Sequence, residues 1–170
     1  MKKLPLVGML VFASSAVFAD NNYSIELNKT SFEDSVLEAQ SNSLSFVYNF
    51  NISEQLSVLA KFGKGVHDDD IDAQGEDSKL TIDYLAGAYV KYNFMEDSDF
   101  NVYGVVGYNK IKLTAEANNN AQGQSETGFA YGLGASYQIG DMALYLDGNQ
   151  LIDSDGVTMD SINLGVTFNF

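Results

Sequence analysis

Ile162-Asn163-Leu164-Gly165-Val166-Thr167-Phe168-Asn169-Phe170 is the stretch on which the fold turns. Every second residue is apolar and the gaps hold polar or small residues, the period of a strand with one apolar face. Working back along the chain, the same alternation recurs at 142–146, 129–139, 100–108, 80–94, 56–62, 44–52 and 23–27. That makes eight strands. After Tyr108 the phase slips, because Ile111 and Leu113 fall on the wrong face, and a β-bulge near Asn109 or Lys110 is expected to repair it.

The connections alternate in length. Short turns lie near Ser53-Glu54, Met95 to Asp99 and Gly140-Asp141, and longer connections at about 30–42, 65–78, 115–126 and 149–158. Short turns at one end and long loops at the other is the pattern of outer-membrane barrels, with the short turns periplasmic and the loops extracellular. The expected fold is all-β: one eight-stranded antiparallel up-and-down transmembrane β-barrel.

A soluble barrel with an apolar interior shows the same alternation, so the direction of the apolar face has to be argued. Aromatics cluster at strand ends on that face. Tyr23, Phe50, Tyr92, Phe94, Phe100, Tyr137 and Phe170 fall toward the short turns, and Phe62, Tyr84, Tyr108 and Phe129 toward the loops. Those are two belts at two membrane interfaces. The opposite face mixes small residues, as in Gly128-x-Ala130-x-Gly132-x-Gly134, with isolated charges at Glu26, Lys61, Asp83, Lys91 and Asp147. Small side chains suit a narrow lumen, and the five charges are expected to form a pairing network there, since unpaired buried charge is costly.

The other end of the chain agrees. Met1-Lys2-Lys3 is basic, a largely apolar run follows to Phe12, and Val17 and Ala19 stand at −3 and −1 of a small-residue cleavage site. This is the layout of a signal peptide over 1–19, too short for a spanning helix, which needs roughly 20 apolar residues. Removing 19 residues from 170 leaves 151, the single barrel domain 20–170, and losing Lys2 and Lys3 takes the formal charge from −14 to −16. There is no arginine, so nucleic acid is not an expected partner. There is no cysteine either, and the only proline, Pro5, lies in the leader. A mature chain free of proline suits continuous strand pairing.

The terminal Asn163-x-Gly165-x-x-Phe168-x-Phe170 resembles the C-terminal assembly signal of outer-membrane barrels, which implies recognition by the barrel-assembly machinery. Val102-Tyr103-Gly104-Val105-Val106-Gly107-Tyr108 and Thr127-Gly128-Phe129-Ala130-Tyr131-Gly132-Leu133-Gly134-Ala135 resemble the fifth and sixth strands of the outer-membrane β-barrel domain family, which includes OmpX, Ail and the OmpA membrane domain. No peptidoglycan-binding domain is expected after Phe170, which is an OmpX-like layout. The resemblance implies an outer-membrane location and roles in adhesion, colonisation or envelope stress.

Chemistry is sparse. The only histidine, His67, precedes Asp68-Asp69-Asp70 and has no serine motif beside it, so no catalytic residue, lipid-modifying or otherwise, is expected. Asp68, Asp70 and Asp72 have the spacing that opens a calcium loop, although Ala73 replaces its glycine and Lys79 its closing glutamate. They are the one candidate divalent-cation site, and no other cofactor is expected. Eight strands leave an interior just filled by side chains, with Tyr89, Tyr103 and Tyr145 adding bulk, so a passive channel is the second reading and an envelope enzyme the third. The first is a monomeric, non-enzymatic platform whose acidic loops meet lipopolysaccharide with its bridging cations, or host and cell-surface molecules.

Overall fold

In a computed structural model of the chain, the described residues are 21–33, 38–67, 69–73, 76–95, 98–117, 120–154 and 157–169. They form nine strands and, among the described residues, no helix: β1 (Asn22–Glu33), β2 (Glu38–Asn51), β3 (Leu56–His67), β4 (Asp69–Ala73), β5 (Glu76–Asn93), β6 (Phe100–Ala117), β7 (Asn120–Ile139), β8 (Met142–Ser154) and β9 (Val157–Asn169). β3 and β4 are successive pieces of one stave. β3 pairs with β5 from Leu56↔Tyr92 to Gly63↔Leu85, and β4 takes over from Asp69↔Leu80 to Ala73↔Glu76. With β1 paired to β9 from Asn22↔Asn169 to Glu33↔Thr158, eight antiparallel staves close into the expected barrel.

The faces point as the alternation requires. Phe129 is 80% exposed and Leu133 65%, while Asn109 and Asn163 inside are fully buried. A chain that exposes its hydrophobic side chains and buries asparagine is built for an apolar surround. Tight turns close the short end. Gly140 takes a φ of 61°, open to glycine without steric cost, between the paired Ile139 and Met142. At the first turn the Ser53 hydroxyl accepts the Leu56 amide at 3.1 Å.

Two expectations are corrected. First, the four long connections are mostly strand. β1 and β2 stay paired to Glu33↔Glu38, β4 and β5 to Ala73↔Glu76, β6 and β7 to Ala117↔Asn120, and β8 and β9 to Ser154↔Val157. Second, the bulge lies in β5, where the register against β6 shifts between Ile82 and Tyr84, and not near Asn109 or Lys110. β6 runs through in phase, which places Ile111 inside at zero exposure. The extra residue in β5 lets both Ile82 and Leu85 point inward.

The staves also separate above the barrel. β7 and β8 pair only from Ile139↔Met142 to Tyr131↔Gln150, and β2 and β3 only as far as Asn42↔His67. Beyond those points the strands form two four-stranded sheets, β2-β1-β9-β8 and β4-β5-β6-β7. Phe32, Ala39, Leu151, Ile152 and Met159 from the first meet Ile82, Leu85 and Ile111 from the second in one buried apolar cluster. Two facing sheets need such a filling, as in a sandwich.

Candidate functional site

The lumen has two storeys. Toward the short turns lies a polar cavity of about 440 Å³, lined among others by Glu26, Lys61, Tyr89, Lys91, Tyr103, Tyr145 and Asp147. Toward the hairpins, the apolar cluster around Ile82, Ile111 and Ile152 fills the section, each of these at zero exposure. Asn109 stands between the storeys, accepting a hydrogen bond from the Tyr89 hydroxyl and donating from Nδ2 to the Leu151 carbonyl at 3.3 Å.

The structure brings four of the five expected lumen charges together and expels one. Glu26 and Lys61 form a buried ion pair, and the Tyr145 hydroxyl donates to Glu26 Oε2 at 2.7 Å. Asp147 is held by neutral donors instead of a lysine: Tyr103 Oη at 2.9 Å, Asn149 Nδ2 at 2.7 Å and Asn163 Nδ2 at 2.6 Å. Lys91 places its ammonium 5.0 Å from the centre of the Tyr103 ring, a cation–π contact. Tyr103 thus stands between the second cation and the second carboxylate.

Asp83 is a correction: it belongs to the bulge and does not join the lumen network. Its carboxylate takes Lys112 Nζ at 2.8 Å and the Thr114 hydroxyl at 2.9 Å, both from the outward face of β6. Those two hydrogen bonds hold the Asp83 carboxyl below its usual range, and Asp83 in turn holds the Lys112 ammonium above its own. Lys112 could not be singled out in advance, because strict alternation puts residue 83 on the lumen face until the bulge turns it out.

The motif residues of the last strand have structural duties here. Asn163 donates to Asp147. Gly165 lies under the Tyr145 ring, which an added Cβ would overlap. Phe168 packs against Tyr23 with the rings tilted and their centroids 5.5 Å apart, and Phe170 lies outside the described residues. Of the candidate cation ligands, Asp70 and Asp72 fall in β4 opposite Lys79 and Asp77, while Asp68 lies outside the described residues. His67 ends β3, opposite Asn42.

An outward apolar band between two aromatic rims, buried polar side chains in the lumen and antiparallel closure are the properties of a barrel that lives in lipid. The family model for the outer membrane protein beta-barrel domain matches residues 6–170. The chain belongs to that family. Its barrel is similar in structure to Ail, the attachment invasion locus protein of Yersinia pestis, at a TM-score of 0.65 and 15% identity, covering 90% of this chain and 100% of that one. Ail has also been solved in complex with the heparin analogue sucrose octasulfate. Neisserial surface protein A matches at 0.68 and 17% identity, covering 88% and 97%. The N-terminal barrel of Pseudomonas aeruginosa OprF matches at 0.60 and 14%, covering 86% and 97%. At these identities the likeness concerns the fold. No curated protein sequence matches the chain.

Proposed function

We propose that this outer-membrane barrel is a non-enzymatic, monomeric platform that holds paired, acidic hairpins outside the cell for contact with surface molecules. The observation that carries the reading is the apolar cluster between the two projecting sheets. It stiffens the hairpins from within, and it blocks the route a solute would need. In this reading residues 1–19 are a cleaved signal peptide, the short turns are periplasmic and the barrel-assembly machinery engages the last strand.

Charge narrows the class of partner. Segments 30–42, 65–78, 115–126 and 149–158, together with Asp160, hold 14 of the 23 acidic residues. Such a rim repels sulfated polysaccharide and favours cationic or cation-bridged surfaces. The sulfated ligand class seen with Ail is therefore not carried over. Asp68, Asp70 and Asp72 are proposed to bind a divalent ion weakly; a calorimetric Ca²⁺ titration without heat would dispose of that.

The test is a whole-cell binding assay. Cells carrying the protein adhere to host cells or envelope material, and a variant with 115–122 replaced by a two-residue turn loses that adhesion while the barrel still assembles. Equal adhesion by both, and by cells lacking the protein, would sink the proposal.

A further inference from the structure

The mature chain has seven lysines against 23 acidic residues, and two of the lysines, Lys61 and Lys91, line the lumen cavity. Three of the remaining five gather on three neighbouring staves on the lipid-facing side. Lys64 follows Gly63, whose partner in β5 is Leu85. Lys110 is registered with Ala86, and Lys112 with Tyr84. Strand spacing puts the three backbones within about 10 Å of one another. Lys64 and Lys110 are exposed.

Their height is as telling as their proximity. Just below them the apolar band ends in exposed Phe62, Tyr108 and Phe129, with Tyr108 and Phe129 in edge contact at 5.4 Å. Aromatic belts mark the headgroup level, so these ammoniums reach it by extending along the barrel wall. Asp83 is the one carboxylate among the described residues that contacts the trio, and it engages Lys112 alone within ion-pair distance. On β8 and β9 the paired residues that follow exposed Leu146, Gly148 and Ile162 toward the hairpins are Gln150 and Asp160, neither of them a cation. Lys29 stands by itself on β1.

We infer that Lys64, Lys110 and Lys112 form a basic facet on the outer wall of β3, β5 and β6 that holds the phosphate groups of an outer-leaflet glycolipid. A protein of charge −16 that sets three cations side by side at the headgroup level offers one face to phosphate while its hairpins repel it. The occupant is a lipid and not a soluble phosphate because the facet stands directly above apolar wall that acyl chains cover. The inference rests on the proposed orientation, with the hairpins in the outer leaflet. It is independent of any partner at the hairpin tips.

The test uses the refolded barrel in detergent, titrated with bis-phosphorylated lipid A or with the same lipid freed of its phosphates, and bound lipid read by native mass spectrometry. Each lysine at an anionic lipid surface is worth about a fivefold change in binding. Lys64→Gln and Lys110→Gln should each weaken the phosphorylated lipid about fivefold, and the two together with Lys112→Gln should abolish the preference for it. Lys29→Gln, the same change of charge elsewhere, should leave binding within twofold. Equal binding of the two lipids, or an equal effect from Lys29→Gln, overturns the facet. Complete displacement by millimolar pyrophosphate overturns the lipid as its occupant. Adhesion by the hairpins is measured on whole cells, so loss of the facet and loss of the platform reading are separable.

Discussion

At the residue scale, the lumen holds two carboxylates by different means. Glu26 has a lysine, and Asp147 has three neutral donors. Breaking a buried pair strands the surviving charge. Lys61→Met should therefore cost about 3 kcal/mol in urea unfolding of the refolded barrel, and adding Glu26→Gln should restore most of it. A single-variant cost under about 0.5 kcal/mol would show that water in the cavity screens the pair. Gly165 offers a second residue-scale prediction. Its Cβ space is taken by Tyr145, so Gly165→Ala should destabilise the barrel by about 1–3 kcal/mol through overpacking. The same loss during unassisted refolding would locate the effect in packing. Normal refolding with failed assembly in cells would locate it in recognition of the terminal signal.

The β5 bulge is where element-scale geometry decides what faces what. Deleting Asp83 removes the extra residue, so Ile82↔Leu113 and Tyr84↔Lys112 become successive rungs of a regular ladder, with Ile82 still inward and Tyr84 still outward. Ile82 would keep its place in the apolar cluster. The deletion and Asp83→Asn should therefore both keep the compact, heat-modifiable form on gels, and loss of that form in the deletion alone would show that pairing with β3 and β4 needs the bulge. Asp83 also gives a pH signature. Its carboxyl is held below 3.8 by Lys112 and Thr114, so the folded state gains from its ionisation above that value and loses the gain as pH falls through the lower folded value. In Asp83→Asn, unfolding should lose that part of its pH dependence below about pH 4. An unchanged acid profile would mean that solvent screens the exposed pair fully.

For the molecule as a whole, the two-storey lumen predicts electrical silence. The polar cavity at one end does not continue past Asn109 into the apolar cluster. Planar-bilayer recordings of the native chain should show no stable steps, while Ile82→Ser with Ile111→Ser and Leu151→Ser should admit water and raise brief openings. Stable conductance in the native chain would favour the channel reading. Orientation is checked separately. Gly123→Cys, on the exposed upper part of β7 and free of close contacts, should react with a membrane-impermeant maleimide on intact cells.

Much of this was open to inspection in the amino-acid order, because period-two alternation is a local property. Tyr23 to Leu27 and Ile162 to Phe168 announce their two faces without reference to any neighbour, and the position of aromatics at strand ends turns the apolar face toward lipid. The extent of the strands was hidden for the opposite reason. In segments such as 39–42 and 123–127 the strand has left the apolar band and carries polar or small residues on both faces, so polarity ceases to alternate and tight pairing reads as loop. Only cross-strand contact determines that Phe32 and Met159 close over Ile82, that a bulge turns Asp83 out beside Lys112, and that Asp147 takes tyrosine and asparagine donors in place of Lys91. Those outcomes depend on which residues lie opposite one another across the barrel, and one strand carries no record of its partners.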